Sequence, residues 1–232
     1  MNKSPVGQMI RDHINSKRLE PINFPEPKKT KDSVDIDDLM LPEFVANELR
    51  DFPKPEIFSQ MILFDWQIDD AILYPRIEIL RLLPHGDEFC HLDGITHLDH
   101  ANWEAGGFRR VKPSMFTGHF KKTLLFPKVF KEEAIAQLGA FLLRSNEDFE
   151  NYIPIFDGYY FGRDLGIVLP GDKLDLKIRM INFDGRRSGT VYGQAFVHEK
   201  MVHILTFDFN IMPDKVFQRI ISKQIAERKR GE

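Results

Sequence analysis

Cysteine is nearly missing from this chain of 232 residues: Cys90 stands alone. A disulfide within one chain is therefore excluded, and the usage fits a reducing, intracellular compartment. Charge of one sign is missing too, since 32 Lys and Arg stand against 35 Asp and Glu. Such a balance carries no general signal for nucleic acid or an anionic membrane. No apolar run approaches the roughly 20 residues that span a bilayer. The N-terminal stretch MNKSPVGQMIRDHINSKRLE lacks the apolar core of a secretory signal. These absences predict a cytoplasmic protein with neither a nucleic-acid nor a membrane partner.

What the chain does hold is phenylalanine, 20 residues of it, and enough apolar material for one large domain or one domain with an extension. Residues 1 to 75 read as an N-terminal extension. Pro21, Pro25 and Pro27 beside a Lys cluster predict a linker or an arm lying on a neighbouring surface. LPEFVANELRDF then predicts a short helix opened by Pro42. RIEILRLLPHG puts Ile77, Leu80 and Leu83 at helical spacing and stops at Pro84.

From about residue 89 the texture becomes that of strands, beginning with GFRRVKPSMF. KLDLKIRMI alternates Leu174, Leu176, Ile178 and Met180 with charged residues, the period of a half-buried strand. FDGRRSG predicts a turn, VHEKMV a tight hairpin end, and TVYGQAFVH and HILTFDFNI antiparallel neighbours. Residues 213 to 232 predict an amphipathic helix with Val216, Phe217, Ile220 and Ile221 on one face. One element is different in kind. In EEAIAQLGAFLL, Gln137 is the only polar side chain after Glu133, so this helix needs apolar neighbours on nearly every side. A curved antiparallel sheet wrapped around a central helix, with a second subunit closing the remainder, would supply them. The fold class expected is α+β.

The residues around that helix resemble a known family, the β-hydroxyacyl-acyl-carrier-protein dehydratases of FabZ type, which have the hot dog fold. Their motif runs G-H-F, then a stretch containing M-P-G-V, then E-A-x-A-Q. Gly118, His119 and Phe120 match its opening, Pro127 and Val129 its middle, and Glu133, Ala134, Ala136 and Gln137 its end. LLPHGDEFCHLDGI and VLPGDKL are similar to two further blocks of the family. The resemblance covers residues 76 to 212. Departures fall between the anchors: Lys121 and Leu124 replace a P-x-x-P, Phe126 replaces Met, and Lys128 replaces a Gly. In the family the N–H of that Gly helps to hold the thioester carbonyl. A Lys keeps the N–H, narrows the backbone angles and crowds a ligand's approach.

The resemblance implies dehydration of a 3-hydroxyacyl thioester, on acyl carrier protein or CoA, to a trans-2-enoyl thioester. It implies no cofactor beyond the phosphopantetheine that carries the substrate, and a homodimer in which His and Glu come from different subunits. The chemistry asks for a base at the α-carbon and an acid at the departing hydroxyl. His119 suits the first role near pH 7. A carboxyl in apolar surroundings keeps a proton readily and can be the acid, and Glu133 heads an almost wholly apolar helix. Gln137, at i+4, can orient it. N–H groups at Lys128 and Val129 can receive negative charge on the thioester oxygen. Glu132 reads as an ordinary helix N-terminal carboxylate, with no polar partner within the helix.

Phe116, Phe120, Phe126 and Phe130 are candidates for an acyl tunnel, or else plain core. Lys121, Lys122, Arg109 and Arg110 are candidates for carrier docking, or else a solvated rim. HLDGITHLDH would aim His91, Asp93, His97 and Asp99 one way on an unbroken strand, as a metal site does, but Gly94 interrupts the register and no metal is assigned. A non-catalytic acyl- or carrier-binding protein of the same fold is the alternative reading, with a thioesterase third.

Overall fold

The structure, a computed structural model, describes residues 64, 66–68, 70–116 and 124–231. The helix expected near Pro42, and Gly118 to Lys122 of the motif, lie outside the described residues. Among the described residues seven antiparallel strands form one sheet in the order β1-β2-β3-β5-β6-β7-β4. They are β1 (Tyr74–Pro75), β2 (Gly94–Asp99), β3 (Glu104–Arg110), β4 (Tyr152–Asp164), β5 (Lys173–Ile181), β6 (Ser188–Val197) and β7 (Lys200–Pro213). Among the described residues three α-helices accompany them: α1 (Arg76–Leu82), α2 (Lys128–Arg144) and α3 (Asp214–Gly231). Among the described residues no helix is long and apolar enough to cross a membrane.

Helix α2 is the element around which the rest is arranged. It starts directly after Pro127, whose φ of −60° already suits a helix entry. Good helix formers follow, among them Ala134, Gln137, Leu138 and Leu142. Every residue from Gln137 to Leu143 is buried, as the sequence of this stretch demands. Each fully buried Leu, Ile or Phe in it contributes on the order of 1.5–3 kcal/mol. The sheet comes very close here. A Cβ added to Gly193 of β6 would lie 2.3 Å from a methyl of Ile135, so only glycine lets the strand and the helix meet.

The strands follow their residues. In β5 the apolar and charged side chains alternate strictly between buried and half-buried positions. The loop before β6 is a turn built on Asp184, whose Oδ1 accepts from the N–H groups of Arg186 (2.8 Å) and Arg187 (2.7 Å). The β6–β7 hairpin turns at His198 and Glu199, with φ of 49° and 66°, the left-handed pair that a two-residue turn between twisted strands requires. β3 is buried on both faces, because Trp66 lies across it. That ring stacks on His97 at 4.0 Å, and its Nε1 donates to Glu104 at 2.8 Å. The folded unit thus reaches back beyond Arg76, through Tyr74–Pro75 paired with Gly94–Ile95.

Three local expectations need correction. The end of GFRRVKPSMF is no strand: Pro113–Phe116 forms a 3₁₀ turn, since Pro113 has no N–H to give a ladder. The buried side of α1 carries Ile79 and, just past its end, Leu83, while Ile77 is 60% exposed. The face of α3 with Val216, Phe217, Ile220 and Ile221 is only half-buried, so this helix rests on the sheet rather than in it.

Candidate active site

Glu133 is held by the residue one turn further on. Nε2 of Gln137 donates to Glu133 Oε1 at 2.8 Å and to the Phe89 carbonyl at 2.9 Å. Gln137 Oε1 accepts the His91 N–H at 2.7 Å. The amide is buried and fully bonded, so it cannot rotate, and the carboxylate it faces inherits a fixed direction. His85 approaches the same oxygen, its Nε2 3.8 Å from Glu133 Oε1. Burial holds the His85 ring below its ordinary value, against the pull of Glu133.

Glu133 opens on a narrow cavity of about 160 Å³, walled by Met180, Val191, Phe207 and Phe209 with His85 and Gln137 beside it. A larger cavity of about 720 Å³ lies at the N-terminus of α2 and is lined by Met115, Pro127, Val129 and Phe130, with Arg109 and His91. Its walls come from both flanks of the segment that carries His119, which itself lies outside the described residues. In the first turn of α2 the Phe130 N–H donates to the Pro127 carbonyl at 3.0 Å, while those of Lys128 and Val129 have no partner within the helix. Val129, at 61% exposure, leaves that turn open. His91 stacks on Phe130 with 4.8 Å between ring centres. Burial, and then the charges of Arg109 and Arg76, push its ring down to about 4.

Glu132 points elsewhere and has more company than its place in the sequence suggests. Lys128, one turn earlier, puts its Nζ 3.3 Å from Glu132 Oε1, which corrects the expectation of no polar partner within the helix. His203 of β7 is wholly buried, with Nε2 3.6 Å from the same oxygen. Its Nδ1 lies 3.3 Å from Asp164. Asp164 in turn accepts from Lys131, and Lys131 donates to the Gly166 carbonyl at 3.0 Å. Burial would raise Asp164, but hydrogen bonds from His203 and Lys131 leave it below the usual carboxylate range. Tyr159 of β4 completes the group: burial, and then its hydrogen bond with Glu132, raise its hydroxyl.

The other candidates divide. Phe116 and Phe126 are each 1% exposed and pack edge to face, as core side chains do. Phe130 does line the larger cavity, and Phe120 lies outside the described residues. Arg109 is not a surface cation. It is 7% exposed and donates to Asp93 at 2.7 Å, where Arg76 also binds at 3.2 Å. Arg110 is exposed, over the Phe108 ring. Asp93 serves these arginines and His97 serves Trp66. Among the described residues no group of three His, Cys, Asp or Glu could hold a metal ion. Two features escaped the sequence reading. His85 sits inside LLPHG, a block that resembles the family, and could have been found there. Phe207 and Phe209 could not, since nothing local says which face of a strand a helix will meet.

Comparison with known proteins bears on the family and the fold. The FabA-like domain family matches residues 83–205. The 3-hydroxyacyl-[acyl-carrier-protein] dehydratase FabZ of Clostridium botulinum strain Okra is 31% identical over 135 residues, which span 55% of this chain and 93% of that enzyme. The FabZ of strain Eklund 17B is 33% identical over 111 residues, 47% of this chain and 78% of that enzyme. Among solved structures, the dehydratase heterocomplex ApeI:P from Xenorhabdus doucetiae superposes with a TM-score of 0.52 at 15% identity, covering 62% of this chain and 96% of that one. That likeness concerns the fold, which is the hot dog fold.

Proposed function

The chain belongs to the FabA-like domain family, and from that premise we propose that it dehydrates a 3-hydroxyacyl thioester to the trans-2-enoyl thioester in fatty-acid or related acyl-chain synthesis. The observation that carries this reading is Glu133, locked by Gln137 at 2.8 Å at the mouth of an apolar cavity. His119 takes the α-proton. Glu133 gives a proton to the departing 3-hydroxyl, which leaves as water while the electron pair of the broken C–H bond forms the double bond. The N–H groups of Lys128 and Val129 receive the negative charge that collects on the thioester oxygen, where a helix N-terminus favours it. Gln137 orients the acid. These groups are side chains and backbone, so no cofactor is assigned beyond the phosphopantetheine arm that delivers the substrate.

The substrate arrives on acyl carrier protein or CoA. Arg110, Lys121 and Lys122 are the cations assigned to the acidic carrier or the phosphate of its arm. Arg109 drops out of that set, because its charge is already given to Asp93. The protein works as a homodimer that joins His119 of one subunit to Glu133 of the other. What supports this is β4, a strand of 13 residues at the edge of the sheet, with Phe156 and Tyr159 49% and 52% exposed. A strand that ends the sheet among the described residues and turns aromatic side chains outward suits a second strand. A single buried Cys90 suits the cytoplasm.

The direct test is the growth of enoyl absorbance when purified protein meets 3-hydroxyacyl thioesters of several lengths, on carrier and on CoA. Turnover that disappears in His119→Ala supports the reading. Thioester binding with no turnover at any length would leave an acyl-binding protein instead, and release of free thiol would mark a thioesterase. Light scattering at micromolar concentration should give a dimer or larger; a monodisperse monomer contradicts the shared site.

A further inference from the structure

Lys128 stands where the motif has glycine, at the helix end that the thioester oxygen must approach. Pro127, Val129 and Phe130 all line the larger cavity and Lys128 does not. Its Nζ is turned back along α2 onto Glu132 Oε1, 3.3 Å away. Glu132 is itself restrained. Its side chain is 13% exposed, with the wholly buried His203 ring 3.6 Å from the same oxygen, and it shares a hydrogen bond with Tyr159. His203 is fixed from behind by Asp164 at 3.3 Å, and Asp164 by Lys131.

We propose that Glu132, set between the His203 ring and Tyr159, is a positioning residue that ties the Lys128 side chain away from the cavity, so that the first N–H groups of α2 stay open to a thioester carbonyl. The inference rests on the thioester reading of the site. The logic is steric and electrostatic. A lysine side chain has four rotatable carbons and a strongly hydrated head. Released at this position, it can sweep across Val129 and Phe130 and occupy the space a thioester needs. Held by a carboxylate one helical turn away, it has an i, i+4 partner that does not line the cavity. Glycine needs no such restraint, so the carboxylate compensates for a side chain that the motif lacks.

A double-mutant cycle between Glu132→Gln and Lys128→Ala tests this, with two readouts. One is kcat and KM for a 3-hydroxyacyl-CoA. The other is the calorimetric Kd of a saturated acyl-CoA, which has a thioester but no hydroxyl to lose. Glu132→Gln should raise KM and weaken saturated acyl-CoA binding by about tenfold, a fraction of what removing an oxyanion donor costs. In the Lys128→Ala background the same substitution should change either value less than about twofold, since no side chain remains to be released. Tyr159→Phe removes only a hydroxyl from a half-exposed ring and serves if Glu132→Gln does not fold. It should act in the same direction, more weakly, and also lose its effect in Lys128→Ala.

An equal penalty in both backgrounds would show that Glu132 acts by itself and would overturn the proposal. So would no penalty at all, or tighter binding, which would mean that a free Lys128 helps to hold the ligand. If the protein binds saturated acyl-CoA and dehydrates nothing, the dehydratase reading fails while the binding cycle still decides this one. Absence of any thioester binding to the unaltered protein would end both.

Discussion

Glu132 and Glu133 stand side by side at the start of one helix and live in different surroundings. Glu133 meets a neutral amide at 2.8 Å and a narrow apolar cavity. Glu132 meets Lys128 and a buried imidazole, which lead on to Asp164 and Lys131. Successive helical residues point about 100° apart, and here that rotation separates a carboxylate kept available from a carboxylate kept occupied. Identity and helix position are the same for both; the strand each one faces differs. A carboxylate whose neighbours leave an oxygen facing open space can exchange protons with a ligand. One enclosed by a cation and a buried ring supports the structure around it.

The first way to break this contrast is Glu133→Gln. It should lower turnover by about two orders of magnitude or more, the usual contribution of a positioned general acid, while the unfolding midpoint in urea stays where it was. Loss of stability together with activity would mean that Glu133 is structural and the two carboxylates are alike.

The second concerns His91, whose N–H holds the Gln137 amide and whose ring lines the larger cavity. A folded value near 4 lies below an unfolded value of about 6.5, so the unfolded chain takes up the proton first as pH falls. The stability involved is complete above about pH 6.5 and is lost between there and about pH 4, on the order of 3 kcal/mol. His91→Leu should flatten the stability curve across that interval, measured by urea unfolding at several pH values. An unchanged slope would assign it to other groups.

The smallest effect belongs to the occupied side. Asp164→Asn leaves the Lys131 charge, 1% exposed, without its carboxylate. Breaking a fully buried pair costs about 3–5 kcal/mol. Asp164 is 43% exposed, and water screens it, so about 2 kcal/mol is expected. Its folded value is lowered, so its contribution is present above the carboxylate range and lost as pH falls through it. Lys131→Met should cost less, because it removes the buried charge itself. The reverse order would mean that Lys131 is held by the Gly166 carbonyl and not by Asp164.

How far such a site can be read from sequence depends on how locally its contacts are made. The Glu133–Gln137 bond spans one helical turn, and spacing alone foretold it. The alternation in Lys173–Ile181 and the enclosure of α2 were legible for the same reason, since a period reports which face is apolar. What a period cannot report is the identity of the opposite wall. His203 meets Glu132 from a distant strand, and Phe207 and Phe209 reach the Glu133 cavity through the register of β7 with β4 and β6. The burial of Arg109 depended on Asp93 across a bulged strand pair, which no count of charges reveals.

The enclosure of α2 also has a kinetic consequence. The sheet that covers it closes through β3 and β5, where Glu104 bonds Arg179 across 75 positions of chain. The helix can therefore hide its apolar surface only after a long loop has closed, and that closure is costly before any contact rewards it. Folding should be slow and concerted, with no stage at which α2 persists alone. Hydrogen exchange would show it: the amides from Gln137 to Leu143 should exchange only when the whole domain opens, at one common rate, while those of α3 exchange earlier through local fraying.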